Sequence, residues 1–315
     1  MTQLANDRPV LPAAPGIGGG VLLAIVSATG FGLSGPLATG LLGTGWSPGA
    51  IVLGRMAIAA LALAPFTLAA LRGRWHLLRR QAGQVLMYGT LAVAGAQFCY
   101  FSAVATMDVA PALLIEYTAP AAVVGWLWLR RGQRPSPLTV VGAVVAAAGL
   151  VLVLDLASGA DLAWSGVAWA LGAMIGATAY FLISADTDSG LPPLALAGTG
   201  LTVGTLVLLA FAATGLLPMH ASTAAAEYSF GSPPWWVPMA LLGLVTAAMP
   251  YATGIAASRR LGSRVASFVA LLEVVAAVLF AWLLVSQLPG LTQLAGGVLI
   301  IGGVVTVRLG DRELS

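Results

Sequence analysis

The stretch FCYFSAVATMDVAPALLIEYTAPAAVVGWLWLRRGQR, Phe98–Arg134, decides how the rest of this 315-residue chain is read. It holds one apolar run, a short turn at Asp108, and a second apolar run that ends in Arg130, Arg131 and Arg134. Inside the second run, Glu116 and Pro120 stand four residues apart. A carboxylate in so apolar a segment is costly and needs a partner, a proton or a task. Pro120 lacks the N–H that would bond the Glu116 carbonyl in a helix, and its ring crowds the same oxygen. Side chain and backbone of one residue are both left without ordinary partners.

Composition sets the class in which this anomaly sits. Hydrophobic residues make up 59% of the chain and charged residues 8%, against about 25% charged in a soluble domain. Ten apolar runs near the length a bilayer requires are readable: Gly18–Leu42, Pro48–Leu71, Gly83–Ala105, Val109–Leu129, Pro137–Leu154, Leu162–Ala185, Pro193–Leu216, Trp235–Ala257, Val265–Leu284 and Leu291–Val307. The fold class expected is all-α and integral to a membrane. The net charge of +3 does not indicate nucleic acid, because the basic residues sit in short clusters beside apolar runs. With one cysteine, Cys99, and two distant histidines, His76 and His220, the sequence offers no disulfide framework, metal site or cofactor motif. No nucleotide-binding loop marks a primary pump.

All 14 basic residues are arginine. With ten spans and both termini cytoplasmic, every arginine except Arg55 falls on the cytoplasmic side, from Arg8 to Arg312, while Asp108, Asp155, Asp161 and Glu227 fall outside. That is the positive-inside pattern, and it places the chain in the cell membrane. Residues 1–15 and 309–315 read as cytoplasmic tails.

The chain also reads as two five-span halves, residues 16–157 and 158–308. Glu116 is followed by a span carrying Gly142 and Gly149, and Glu273 by one carrying Gly296 and Gly303. Both glycine pairs are seven apart and share a helix face, which permits close helix contact. The match treats Glu273 as the counterpart of Glu116, with a connection three residues shorter in the second half. An odd number of spans per half gives the halves opposite orientation, a transporter architecture with its site near the midplane.

The chain resembles the drug/metabolite transporter superfamily in its EamA branch over nearly its whole length. The carriers of the likeness are AVATMDVAPALLIEYTAP at 103–120, SRVASFVALLE at 263–273 and RMAIAA at 55–60. Where the second repeat of that family commonly has proline after its glutamate this chain has Val274, and Ser286-Gln287 replaces a closing Gly-Glu. The resemblance implies ten helices around a central cavity and movement of small metabolites by alternating access.

Helical rise of about 1.5 Å per residue puts Arg55, Gln97, Glu116 and Ser34 at one depth, ~10 Å below the outer surface. These residues, with Tyr117, Pro120 and Glu273, form the expected substrate and coupling-ion site. Arg55 and Glu116 are expected to pair. Glu273, nearer the inner end of its span, is left to a proton, water or Arg264. Tyr180 and Tyr251 are expected at the inner mouth. The function expected is a secondary transporter, an exporter of amino-acid-like or related amphipathic metabolites, with the proton as possible coupling ion. A channel-like or uptake permease is the alternative, and an intramembrane enzyme is the remote one.

Overall fold

The computed structural model describes residues 17–104, 106–107, 109–154 and 163–312. Residues 1–15, Asp108, the acidic connection with Asp155 and Asp161, and residues 313–315 lie outside the described part, as does the Arg312 side chain.

The described chain is helical throughout its spans. In order it forms α1 Ile17–Gly32, α2 Ser34–Leu42, α3 Pro48–Ala70, the short α4 Trp75–Arg80 and α5 Ala82–Met87. A π-helical segment, Tyr88–Gly95, leads into α6 Ala96–Val104, and α7 Val109–Glu116, α8 Ala119–Arg131 and α9 Pro137–Val153 follow. The remainder is α10 Trp164–Ser184, α11 Pro193–Ala213, α12 Trp236–Gly243, a second π segment Leu244–Ala248, α13 Met249–Ala270, α14 Leu272–Val285 and α15 Leu291–Arg312. Among the described residues, eight stretches are long and apolar enough to cross a membrane, and α9 and α14 are shorter apolar helices. One of the eight, Trp236–Ala270, runs across a backbone break at Gly262, where φ is 78°. Only glycine takes that left-handed conformation without steric cost. Starts are capped as the sequence allows: Ser47 and Ser136 accept the backbone N–H of Ala50 and Thr139 just before Pro48 and Pro137.

The glycines at seven-residue spacing are the centre of one helix crossing. A Cβ at Gly149 would stand 2.6 Å from the Gly296 carbonyl oxygen, and a Cβ at Gly296 would stand 2.6 Å from that of Gly149. Gly142 and Gly303 face each other in the same way. Ascending numbers on α9 meet descending numbers on α15, so the two helices cross antiparallel. A shift of 154 residues carries Gly142 to Gly296 and Gly149 to Gly303, so each helix presents the same surface to the other. No side chain fits between backbones this close, which is why the contact is built on glycine.

The same shift aligns other features. It carries Leu91 to Val245 and Ala96 to Pro250, and those pairs receive matching glycines. Gly30 of α1 lies against the Val245 carbonyl and Pro250, and Gly176 of α10 lies against the Leu91 carbonyl and Ala96. Each π segment is thus approached by a glycine on the first helix of the other half. The shift also carries the non-helical pair Tyr117-Thr118, between α7 and α8, onto Leu271 and the start of α14. Under this correspondence Glu116 matches Ala270, Glu273 matches Ala119, and Pro120 matches Val274. The second-half connection is therefore not three residues shorter. The two glutamates stand at different positions, one before its break and the other after.

The longest connection, between α11 and α12, packs on the helices. Trp46 Nε1 donates to the Ser222 carbonyl at 2.8 Å, Ser47 Oγ to that of Pro218 at 2.8 Å, and the Tyr228 hydroxyl to that of Leu37 at 2.6 Å. Burial pushes the Tyr228 phenol up to about 12, so it remains a donor at neutral pH.

Candidate functional site

Both breaks open toward a cavity of about 390 Å³. Its wall includes Ser34, Arg55, Gln97, Tyr100, Glu116, Tyr117 and Glu273. Six of the expected site residues therefore share one cavity. Pro120 lies beside it, against a small void that Glu116 and Tyr117 also line. The cavity reaches the α2 and α3 ends at Leu42 and Pro48, the end of the molecule opposite the clustered arginines of α4 and α8.

The first break follows from Pro120. With no N–H at 120, the chain leaves the helix after Glu116, and the Ala121 and Ala122 N–H groups both turn to the Thr118 carbonyl. Glu116 becomes the last residue of α7, at the negative end of its dipole. The second break has no proline. Leu271 interrupts the helix, and Glu273 falls in the first turn of α14, where the exposed N–H groups favour an anion. Tyr117 sits against the Glu273 carboxyl, and Arg55 lies within its electrostatic reach.

The expected Arg55–Glu116 ion pair does not form. The one ion pair among the described residues joins Arg264 to Asp311 at 2.9 Å. Arg264 also donates to the Gln133 carbonyl and so is engaged away from Glu273. Arg55 is buried with its Nε unpartnered among the described residues, and the carboxylate within its electrostatic reach is Glu273. The reason lies in the breaks. Depth counted along straight helices puts Glu273 below Glu116, whereas the break before α14 brings both carboxylates to one cavity.

A smaller chamber of about 120 Å³ lies on the other side of Glu116. Phe31, Gln97 and Glu116 line both spaces and divide them. The chamber presents Ser27, Tyr180, Tyr251 and Ser258. The Tyr180 hydroxyl and Ser258 Oγ are buried without a hydrogen-bond partner among the described residues, an environment that suits ordered water. Aromatic rings pack along it: Tyr180 stands 6.0 Å from Tyr88 and 5.8 Å from Tyr251, and Phe31 of the dividing residues meets Tyr251 edge-on at 5.3 Å between centroids. Tyr180 and Tyr251 thus stand in one aromatic cluster along the chamber. Sequence reading missed Ser27, Phe31, Tyr88 and Ser258. Their types are common in apolar helices, and only their convergence singles them out.

A model of the EamA-like transporter family matches residues 18–155 and 164–309. A solved crystal structure, described only as that of a protein, is 22% identical and covers 95% of this chain and 99% of its own, with a TM-score of 0.74. At that identity the likeness shows the fold. No curated protein matches the chain.

Proposed function

The chain belongs to the EamA-like transporter family, and on that premise we propose that it is a secondary transporter of small zwitterionic metabolites, amino acids or their relatives, working by alternating access as an exporter. The observation that carries this reading is the presence of Arg55, Glu116 and Glu273 around one cavity. A guanidinium suits a substrate carboxylate, and a second, separate carboxylate suits an ammonium group. A volume near 390 Å³ accommodates a molecule of amino-acid size. Gln97, Tyr100 and Ser34 add neutral hydrogen-bonding groups to the wall.

In this reading the chain crosses the cell membrane ten times, with both termini cytoplasmic, as two inverted repeats, 16–157 and 158–308. Two features support the count. The stretch Trp236–Ala270 breaks at Gly262, and the pieces on either side of the α7–α8 and α13–α14 breaks pair into spans. The antiparallel crossing of α9 and α15, equivalent helices of the two halves, supports inversion. The cavity then opens outward, and the layer of Tyr88, Tyr180 and Tyr251 closes the cytoplasmic side.

Glu116 divides the cavity from the chamber, so it is the carboxylate positioned to exchange its proton or substrate contact when the layer opens. Glu273, at a helix N-terminus and near Arg55, is the carboxylate placed to balance the guanidinium.

The test is reconstitution in liposomes with a panel of radiolabelled amino acids. Counterflow of at least one, lost in Arg55→Leu and in Glu116→Gln at normal protein levels, is expected. A pH gradient should drive accumulation above equilibrium. Equilibration without accumulation under any gradient would instead favour the channel-like alternative, and no flux for any amino acid would remove the substrate class.

A further inference from the structure

Away from the central cavity, α5, α8 and α10 enclose a groove of about 760 Å³ on the outer flank of the bundle. Along most of its length the wall is apolar. Trp126, Leu129 and Ile175 are exposed there, at 46%, 83% and 56%. In a membrane protein such a surface faces acyl chains. One end differs in chemistry. There α8 ends, α5 begins and α10 has just ended, so Gln81, Gln84, Arg131 and Asp186 collect at the groove mouth.

The bonding at this mouth is incomplete in a specific way. Gln84 Nε2 donates to Asp186 Oδ2 at 2.9 Å, and the Asp188 backbone N–H donates to Asp186 Oδ1 at 3.0 Å. The first bond fixes which end of the Gln84 amide is which. Its Oε1 is buried and receives no donor among the described residues. Arg259 is within electrostatic reach of Asp186, but it lies outside the groove wall and donates to the Leu191 carbonyl. The mouth therefore offers a partly exposed carboxylate, positioned by the Gln84 amide, and a guanidinium, both at the end of an apolar trough.

We propose that this groove is a specific seat for one phosphatidylethanolamine molecule from the leaflet on the arginine-rich face. Its acyl chains lie along Trp126, Leu129 and Ile175, its phosphate is held by Arg131, and its ammonium group donates to the partly exposed Asp186 carboxylate beside Gln84. Both charges of the headgroup are needed. A phosphatidylglycerol brings the phosphate but meets Asp186 without a cation. A phosphatidylcholine brings both charges, but its methylated nitrogen has no N–H to donate. Basic residues between helices at the cytoplasmic end are an established setting for lipid headgroups, and the acidic and amide groups here narrow the choice.

The experiment is native mass spectrometry of the purified, delipidated full chain offered equimolar dioleoyl phosphatidylethanolamine, its mono- and dimethyl derivatives, phosphatidylcholine and phosphatidylglycerol. Phosphatidylethanolamine should be retained about tenfold over phosphatidylcholine, the value of one charge-assisted hydrogen bond, with a fall as methyls are added. Asp186→Asn should remove the preference. Gly125→Phe should displace the lipid altogether, since a side chain there enters the open groove, where a Cβ meets no atom within 4 Å. Its melting temperature should match that of the parent. Equal retention of all five lipids, strongest retention of phosphatidylglycerol, or phosphatidylethanolamine still bound to Gly125→Phe would each overturn the proposal. The methylation series needs no variant, so a folding failure of Asp186→Asn leaves the test intact.

Discussion

The two helix breaks occupy equivalent places in the halves and are built differently. Between α7 and α8 a proline stops the helix, and the glutamate is the last residue before the interruption. Between α13 and α14 no proline is present, and the glutamate comes two residues after Leu271, in the first turn of the next helix. One carboxylate therefore sits where a helix dipole opposes its charge, and the other where a dipole favours it, an effect of about 0.3–1 kcal/mol per site in exposed settings. Arg55 adds to the contrast by lying within reach of Glu273, while the Glu116 side chain stands between two spaces. Equal scaffolds carry unequal chemistry. The repeat supplies the breaks, and the placement of a single residue by one helical turn decides what each break can do.

The comparison rests first on the equivalence of the halves, and the largest expected effect tests that. Gly149→Val and Gly296→Val should each cost about 3 kcal/mol or more, because the new Cβ meets a carbonyl oxygen at 2.6 Å in both. The losses should match within about 0.5 kcal/mol if the crossing is symmetric. Thermal unfolding of the two purified variants measures this, and a well-folded protein from either one would break the symmetry argument.

A smaller effect separates the two glutamates. Glu273→Gln leaves the buried Arg55 without its nearby carboxylate and should destabilise by about 1–3 kcal/mol, with Arg55→Leu restoring most of the loss. Glu116→Gln should leave stability within about 0.5 kcal/mol of the parent, and Arg55→Leu should not be coupled to it. A double-mutant cycle on melting temperatures decides the matter. Coupling of Arg55 to Glu116 in place of Glu273 would return the pair to the arrangement expected from depth along straight helices.

The smallest effect concerns the proline itself. Val274→Pro places proline in the first turn of α14, where the Val274 N–H now bonds the Leu271 carbonyl at 3.1 Å. Loss of that one bond should cost about 1 kcal/mol, because the break already exists. Pro120→Ala should change stability by a similar amount or less. A severe defect from Val274→Pro would mean that the two breaks are not equivalent.

Much of the molecule was readable in the sequence because the bilayer imposes length and polarity on every span. The apolar runs, the arginine clusters, the family likeness and the paired glycines all follow from local composition and spacing. Arg55, Gln97, Glu116 and Glu273 drew notice for a similar reason, since a charged or amide group among apolar residues is conspicuous. Spacing also announced that Gly142, Gly149, Gly296 and Gly303 would lie on contact faces. It did not say that they would face one another, because a helix face does not name its partner.

Which polar groups meet was left to the tertiary structure. Counting residues along straight helices paired Arg55 with Glu116 and sent Glu273 toward Arg264. The break at Leu271, marked by no proline, moved Glu273 to the central cavity, and Asp311 took Arg264. The π segments and the glycines seated on their carbonyls were likewise invisible, since a widened turn has no residue signature of its own. Sequence determined what each segment had to bury and where a helix was free to stop. The packing of one half against the other decided which groups meet, because Arg55 reaches Glu273, and the π-segment carbonyls reach their glycines, only across the repeat.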